Sequence, residues 1–174
     1  IGPLSRLHKK ETQKVYDLMV LLSGPEPQRT LLENHLLAEA LKFKGEVLFV
    51  KGKIEPQQVM VKEDHLTIFN FMGSRELETA LNQSAMVLCR SGYTTVMDLA
   101  KLQKNAFFIP TPGQYEQEYL AKRLEKQGLV PYSNQEGFKI EKLKKVAMYA
   151  GLKDFSKEID FESLFALFKG EGKL

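Results

Sequence analysis

Ala85-Met86-Val87-Leu88-Cys89-Arg90-Ser91-Gly92-Tyr93-Thr94-Thr95-Val96-Met97-Asp98-Leu99-Ala100 contains a strand, a turn and the start of a helix in sequence. Met86 to Cys89 is apolar without interruption and too short for an ordinary helix, as expected of a strand buried on both faces. Cys89 therefore reads as an inert buried thiol. Gly92 then permits a backbone shape or a close ligand approach that a Cβ would hinder. Past the turn, Val96, Leu99 and Ala100 keep the i, i+3, i+4 spacing of a buried helical stripe, which predicts a helix over Thr94–Leu102.

The same alternation extends in both directions. Upstream, Tyr16 to Leu22 reads as a strand closed by the turn cluster Ser23-Gly24-Pro25, followed by a helix over Gln28–Phe43 and strands at Val47–Val50 and Leu66–Phe69. Gln57–Val61 is ambiguous, and Ser74–Asn82 is helical. Downstream come a strand Ala106–Ile109 ending at Pro110, a helix Glu116–Gln127 stopping at Gly128, and a short strand near Val130. Amphipathic helices over Lys139–Tyr149 and Phe161–Phe168 complete the pattern. Helices following short apolar strands imply a parallel sheet covered on both faces, so the predicted class is doubly wound, Rossmann-like α/β. Residues 1–14 lack any period and read as a linker or the trimmed end of a longer protein, leaving 15–174 as one domain.

The chain has 174 residues, a hydrophobic fraction of 43% and no apolar run of transmembrane length, so one globular domain with a sizeable core is expected. Its net charge of +3 is spread among interspersed acids and bases, which argues against nucleic acid. Lys142, Lys144 and Lys145 read as a solvated face, with weak attraction to anionic lipid as the alternative. His8, His35 and His65 are scattered, and none has the spacing of a triad or a metal site. With one cysteine there is no disulfide to expect, and no metal ion is expected either.

In a parallel sheet, ligands bind beyond the carboxyl ends of the strands, where helix N-termini offer amides. Ser91, Gly92, Thr94 and Thr95 suit an anion there, as helix caps or as donors to phosphate oxygens. Asp98 lies off the buried stripe near the helix start, placed either to accept both hydroxyls of a ribose or to sit as a surface acid favoured by the helix dipole. Arg29 is a cation at the positive end of a helix, an arrangement that costs energy without a nearby anion; it reads as a diphosphate contact or as an arginine reaching into solvent. Arg90 is divided between leaving-group stabilisation and a structural ion pair. The prolines in Ser23-Gly24-Pro25-Glu26-Pro27 weaken that turn as a phosphate cradle, since proline has no amide to donate.

Cys89-Arg90-Ser91-Gly92, the Thr-containing helix start with its acid, the strand ending in Ile109-Pro110 and the Gln/Glu-rich loop after it resemble the C-terminal domain of glycosyltransferase family 28, typified by the peptidoglycan N-acetylglucosaminyltransferase. The likeness spans Asp17 to about Val130 and is most specific from Phe71 to Tyr119. It implies the C-terminal half of a GT-B architecture, a UDP-sugar donor, inversion at the anomeric carbon and no metal cofactor. It places the ribose acid on Asp98, one methylene shorter than the family's glutamate, and the diphosphate at Ser91, Gly92, Thr94 and Thr95. The uracil-reading backbone falls on Phe71-Met72, and the pair holding the sugar hydroxyls on Gln117 and Glu118. Because the family's second glutamine is Glu118 here, the sugar is not transferable.

The resemblance further implies that the acceptor site and the general base belong to an N-terminal domain this sequence lacks, so no catalytic base is named and the chain alone is expected to be inactive. A cytoplasmic location, with peripheral membrane contact in the full-length protein, goes with it. Two alternatives remain open at this level: a non-catalytic donor-binding subunit of a split transferase, and a fragment of a UDP-sugar epimerase or hydrolase.

Overall fold

In the computed structural model of the chain, residues 5–53 and 55–152 are described. They form β1 (Tyr16–Leu21), α1 (Gln28–Ala40), β2 (Val47–Val50), β3 (Met60–Glu63), β4 (Leu66–Phe69), α2 (Ser74–Gln83), β5 (Ser84–Cys89), α3 (Tyr93–Lys101), β6 (Asn105–Phe108), α4 (Tyr115–Lys126) and a 3₁₀ segment, Ile140–Met148. The helix expected over Phe161–Phe168 lies outside the described residues.

The strands make one sheet in the order β3-β4-β2-β1-β5-β6, parallel throughout except for β3, which pairs antiparallel with β4 at the edge. Setting that edge aside, the chain runs outward from β1 to β2 and β4, then returns to β5 on the other side of β1 and continues to β6. The order therefore reverses between β1 and β5, and in doubly wound sheets the crevice at such a reversal is where ligands sit.

Period-two alternation explains why both faces are covered. Met19, Leu48, Val87, Cys89 and Phe108 point to the face packed by Leu81 of α2, Val96 and Leu99 of α3, and Ala121 and Leu124 of α4. Leu18, Val20, Phe49, Leu88 and Phe107 point to the other face, under Leu32 and Leu36 of α1 together with Ile140, Leu143 and Val146. Each such aliphatic or aromatic side chain contributes about 1.5–3 kcal/mol by leaving water. Cys89 is wholly buried, and burial pushes its thiol pKa up, in keeping with the inert reading.

Four local stretches correct or refine the expectations. The ambiguous stretch before β4 becomes the edge strand β3, reversed through Asp64 at φ 51°. Around Val130 there is only a single bridge, Phe108 with Tyr132, next to Pro131, which has no amide for a ladder. The segment expected as an α-helix over Lys139–Tyr149 is 3₁₀: its buried residues Ile140, Leu143 and Val146 recur every third position, the period that 3₁₀ geometry places on one face. Its start is pinned by the Ile140 amide donating to the buried Glu39 carboxylate at 2.7 Å.

The fourth concerns residues 5–14, which have no regular structure yet are docked. Leu7 is buried in the core, the Lys10 amide donates to Asn82 Oδ1 at 2.9 Å, and Asn82 Nδ2 donates back to His8 O at 3.0 Å. Side-chain amides replace a ladder here, which is why no period marks the segment in the sequence.

Candidate functional site

Three loops converge at the carboxyl edge beside the reversal. The Ser91 hydroxyl donates to Gln117 O at 2.8 Å, tying the turn after β5 to the first turn of α4. A Cβ on Gly92 would lie 4.0 Å from Gln117 Nε2, and one on Gly24 would lie 3.7 Å from Thr111 Oγ1, so the loop after β1 closes the same cluster. Gly24 itself has φ 107°, a left-handed shape that glycine adopts without strain.

Asp98 is half-buried one turn into α3. It lines a cavity of about 200 Å³ with Leu22, Ser23, Leu77, Thr95 and Leu99. Its Oδ1 accepts a 2.6 Å hydrogen bond from the Ser5 hydroxyl, and its Oδ2 has no partner among the described residues. Gly92 is the N-cap of α3 and has no side chain with which to cap the turn that carries Thr94 and Thr95. In the loop between β4 and α2, Phe71 O accepts from Gln58 Nε2 at 3.0 Å, and the Met72 main chain has no partner among the described residues.

Gln117 and Glu118 hold their own loop. Gln117 Oε1 accepts the Thr111 amide at 2.9 Å, its Nε2 donates to Gln114 Oε1, and Glu118 Oε1 accepts the Gly113 amide at 3.1 Å. Both side chains remain partly exposed at the cluster.

The two arginines differ in what surrounds them: Arg29 faces carboxylates, and Arg90 faces neutral oxygens. Arg29 does not reach into solvent: it is 7% exposed, its Nη1 donates to Glu33 Oε2 at 2.7 Å, and its Nε donates to Glu26 Oε1 at 2.7 Å. Lys51 Nζ also meets Glu33, at 2.9 Å. The anion that a cation at a helix start requires is thus supplied by the protein, which corrects the solvent-reaching alternative and argues against a diphosphate role for Arg29. Glu26 Oε2 in addition accepts the Thr30 amide at 3.1 Å, and Pro25 O takes the Arg29 amide at 3.0 Å, so the first turn of α1 spends these amides internally.

Among the described residues Arg90 forms no ion pair. It is 1% exposed at the end of β5, and its guanidinium donates to Ile109 O (3.1 Å), Pro110 O (3.0 Å), Gln28 O (3.2 Å) and Gln135 Oε1 (2.7 Å), all neutral oxygens. Its Nε and the hydroxyl of Thr111 are buried without a partner. Burial without a compensating carboxylate lowers its pKa to about 10, and the group is still a cation at neutral pH. It anchors the ends of β5 and β6 to the start of α1 and places positive potential at the edge of the sheet.

Of the histidines, His35 Nε2 lies 2.9 Å from Phe138 O, His65 meets Asp64 and Ala40 O, and His8 meets Glu78. Among the described residues no group of three or more His, Cys, Asp or Glu side chains converges as a metal site, and no helix is long and apolar enough to cross a membrane. Sequence reasoning missed Ser5, Ser23, Thr111 and Gln135. Gln135 and Ser5 reach their partners across 45 and 93 positions, and no local pattern announces such contacts.

Residues 19–154 match the sequence model of the glycosyltransferase family 28 C-terminal domain. The chain is 27% identical over 126 residues to the UDP-N-acetylglucosamine--N-acetylmuramyl-(pentapeptide) pyrophosphoryl-undecaprenol N-acetylglucosamine transferase of Haemophilus ducreyi, a match covering 69% of this chain and 35% of the relative. It is 27% identical over 138 residues to the protein of the same description from Glaesserella parasuis, covering 76% and 39%. The chain thus spans little more than a third of the length of these curated relatives. The crystal structure of Acinetobacter baumannii MurG superposes with a TM-score of 0.55 at 20% identity, over 79% of this chain and 41% of that one. This likeness shows a shared Rossmann-like fold.

Proposed function

Since the chain belongs to the glycosyltransferase family 28 C-terminal domains, we propose that it is the donor-binding half of an inverting transferase that moves a sugar from a UDP-sugar to an acceptor hydroxyl. The observation that carries the reading is a juxtaposition. Among the described residues, a buried cation with no counter-carboxylate, Arg90, and a carboxylate with one unpartnered oxygen, Asp98, meet the same loop cluster. The first suits a diphosphate and the second a ribose diol, the two polar parts of a nucleoside diphosphate. Ser91, Gly92, Thr94 and Thr95 lie between them, Met72 is the backbone edge toward the base, and Gln117 and Glu118 face the sugar.

In the reaction the acceptor oxygen forms a bond to the anomeric carbon as the bond from that carbon to the diphosphate oxygen breaks, and UDP departs with the electron pair. Positive potential from Arg90 and the α3 N-terminus is aimed where that charge develops. The reading uses no divalent metal. The acceptor's proton goes to a base in the acceptor-binding domain, which the reading assigns to the remaining length of the relatives. Without that domain the acceptor is not positioned, forfeiting roughly 7–11 kcal/mol of barrier lowering, so the chain alone binds donor without transferring it.

Titration calorimetry tests this. UDP should bind more tightly than uridine, and Asp98→Ala should weaken UDP by about 1–3 kcal/mol, the range for hydrogen bonds to a charged group. Wild-type affinity in a folded Asp98→Ala variant would remove the ribose assignment. Sugar release from UDP-sugars by the chain at enzyme-like rates would instead favour a hydrolase.

A further inference from the structure

The segment ahead of β1 crosses α2 and α3 and ends on the acid assigned to the ribose. Lys14 Nζ donates to Asn82 O at 2.7 Å, Lys10 pairs with Glu78 at 2.5 Å, the His8 amide donates to Glu78 Oε2 at 3.1 Å, Lys9 meets Gln103 just past the end of α3, and Leu7 is buried. Ser5 follows, and its hydroxyl is constrained on both sides. Its oxygen accepts the Leu7 amide at 3.1 Å, and its proton is directed to Asp98 Oδ1 at 2.6 Å. One carboxylate oxygen is thereby anchored, and Oδ2 is left without a partner among the described residues.

We propose that Ser5 is a positioning residue for ribose binding, holding the Asp98 carboxylate in the orientation that presents Oδ2 to the ribose hydroxyls. The physical basis is preorganisation. An aspartate held only through its own side-chain torsions must be ordered when ligand binds, whereas one already anchored through Oδ1 loses less freedom. Leu7 and the contacts to Asn82 and Glu78 keep Ser5 in place, so a segment without regular structure serves the site. The proposal rests on the donor-binding reading above.

The test titrates UDP and 2′,3′-dideoxy-UDP into the 174-residue chain as wild type, Ser5→Ala, Ser5→Thr, Asp98→Ala and the Ser5→Ala/Asp98→Ala double variant, with the thermal midpoint of each recorded. Ser5→Ala should weaken UDP about three- to tenfold, the effect of one hydrogen bond, while leaving dideoxy-UDP unchanged. Ser5→Thr, which keeps a hydroxyl, should retain wild-type affinity. In the Asp98→Ala background the same change should have no further effect, since a coupled pair is not additive. Equal losses for both nucleotides, or the same factor in both backgrounds, would overturn the positioning role while leaving Asp98 as the ribose acid. UDP affinity independent of Asp98 would overturn the proposal together with the ribose assignment, and no UDP binding by the folded chain would overturn the donor-binding reading itself.

Discussion

Replacing Glu33 by Gln should destabilise the fold, with a pH signature that identifies the cause. Glu33 is 5% exposed and accepts Arg29 Nη1 at 2.7 Å and Lys51 Nζ at 2.9 Å, with Lys53 Nζ at 3.8 Å. Removing one partner of a buried ion pair costs about 3–5 kcal/mol when the other is stranded. Arg29 keeps Glu26, and the two lysines reach water, so the expected loss is nearer the roughly 1.5–3 kcal/mol of charge-assisted hydrogen bonds. Burial acts to raise the Glu33 pKa, but hydrogen bonds from Arg29 and Lys51 outweigh it and leave a net lowering. A carboxylate with a lowered folded-state pKa stabilises above its unfolded value of about 4.3, and that contribution is lost as pH falls through the folded value. Urea unfolding at pH 7 should therefore separate wild type from Glu33→Gln by about 2 kcal/mol, and the gap should close on acidification below about pH 4. A gap under about 0.5 kcal/mol at pH 7, or one that persists in acid, would refute the ion network as a stabilising element. In parallel, Arg29→Gln should lower stability but not UDP affinity; a tenfold affinity loss at unchanged stability would return Arg29 to the diphosphate.

Gln117→Ala and Glu118→Ala should weaken an intact UDP-sugar more than UDP, and Gln117→Ala should also lower the thermal midpoint, because Thr111 loses the acceptor of its amide; equal losses for the two ligands would refute the sugar assignment. Burial, reinforced by Lys14, lowers the Lys104 pKa from 10.5 to about 7, so the unfolded chain binds the extra proton between these values and stability rises with pH across that window. Lys104→Met should therefore be more stable than wild type near pH 6.5, with the difference narrowing by at least about 1 kcal/mol by pH 9.5 in urea unfolding, and a constant difference would count against it. Gly52→Ala should cost more than about 2 kcal/mol in the same assay, since its φ is 64° and a Cβ would lie 2.2 Å from the Leu22 carbonyl oxygen; near-wild-type stability would mean that the loop after β2 can move.

The alternation of apolar strands with helical stripes is written locally, because a strand buried on both faces must be apolar at successive positions and a packed helix must repeat its stripe every three or four. From Met86 to Ala100 those rules alone specify a strand, a turn and a helix, and the sheet class follows from their repetition. Ser91, Gly92 and Asp98 were legible for the same reason: turn and helix start are local geometries, and their position beyond a parallel strand makes them candidates before any contact is known. The charge state of the site was not legible. Whether Arg29 faces an anion depends on Glu33 one helical turn away and on Lys51 beyond the next strand, and whether Arg90 has a counter-charge depends on Gln28, Ile109, Pro110 and Gln135. The docking of residues 5–14 was equally hidden, since Asn82 supplies by side-chain amide what a ladder would otherwise supply by period. Sequence by itself determined the order of the elements, the type of most of them and the candidate loops at the carboxyl edge, because these arise from forces between near neighbours. Tertiary structure alone decided which charges are neutralised and which oxygens remain unpartnered, because burial and hydrogen bonding join residues that the chain keeps as many as 93 positions apart.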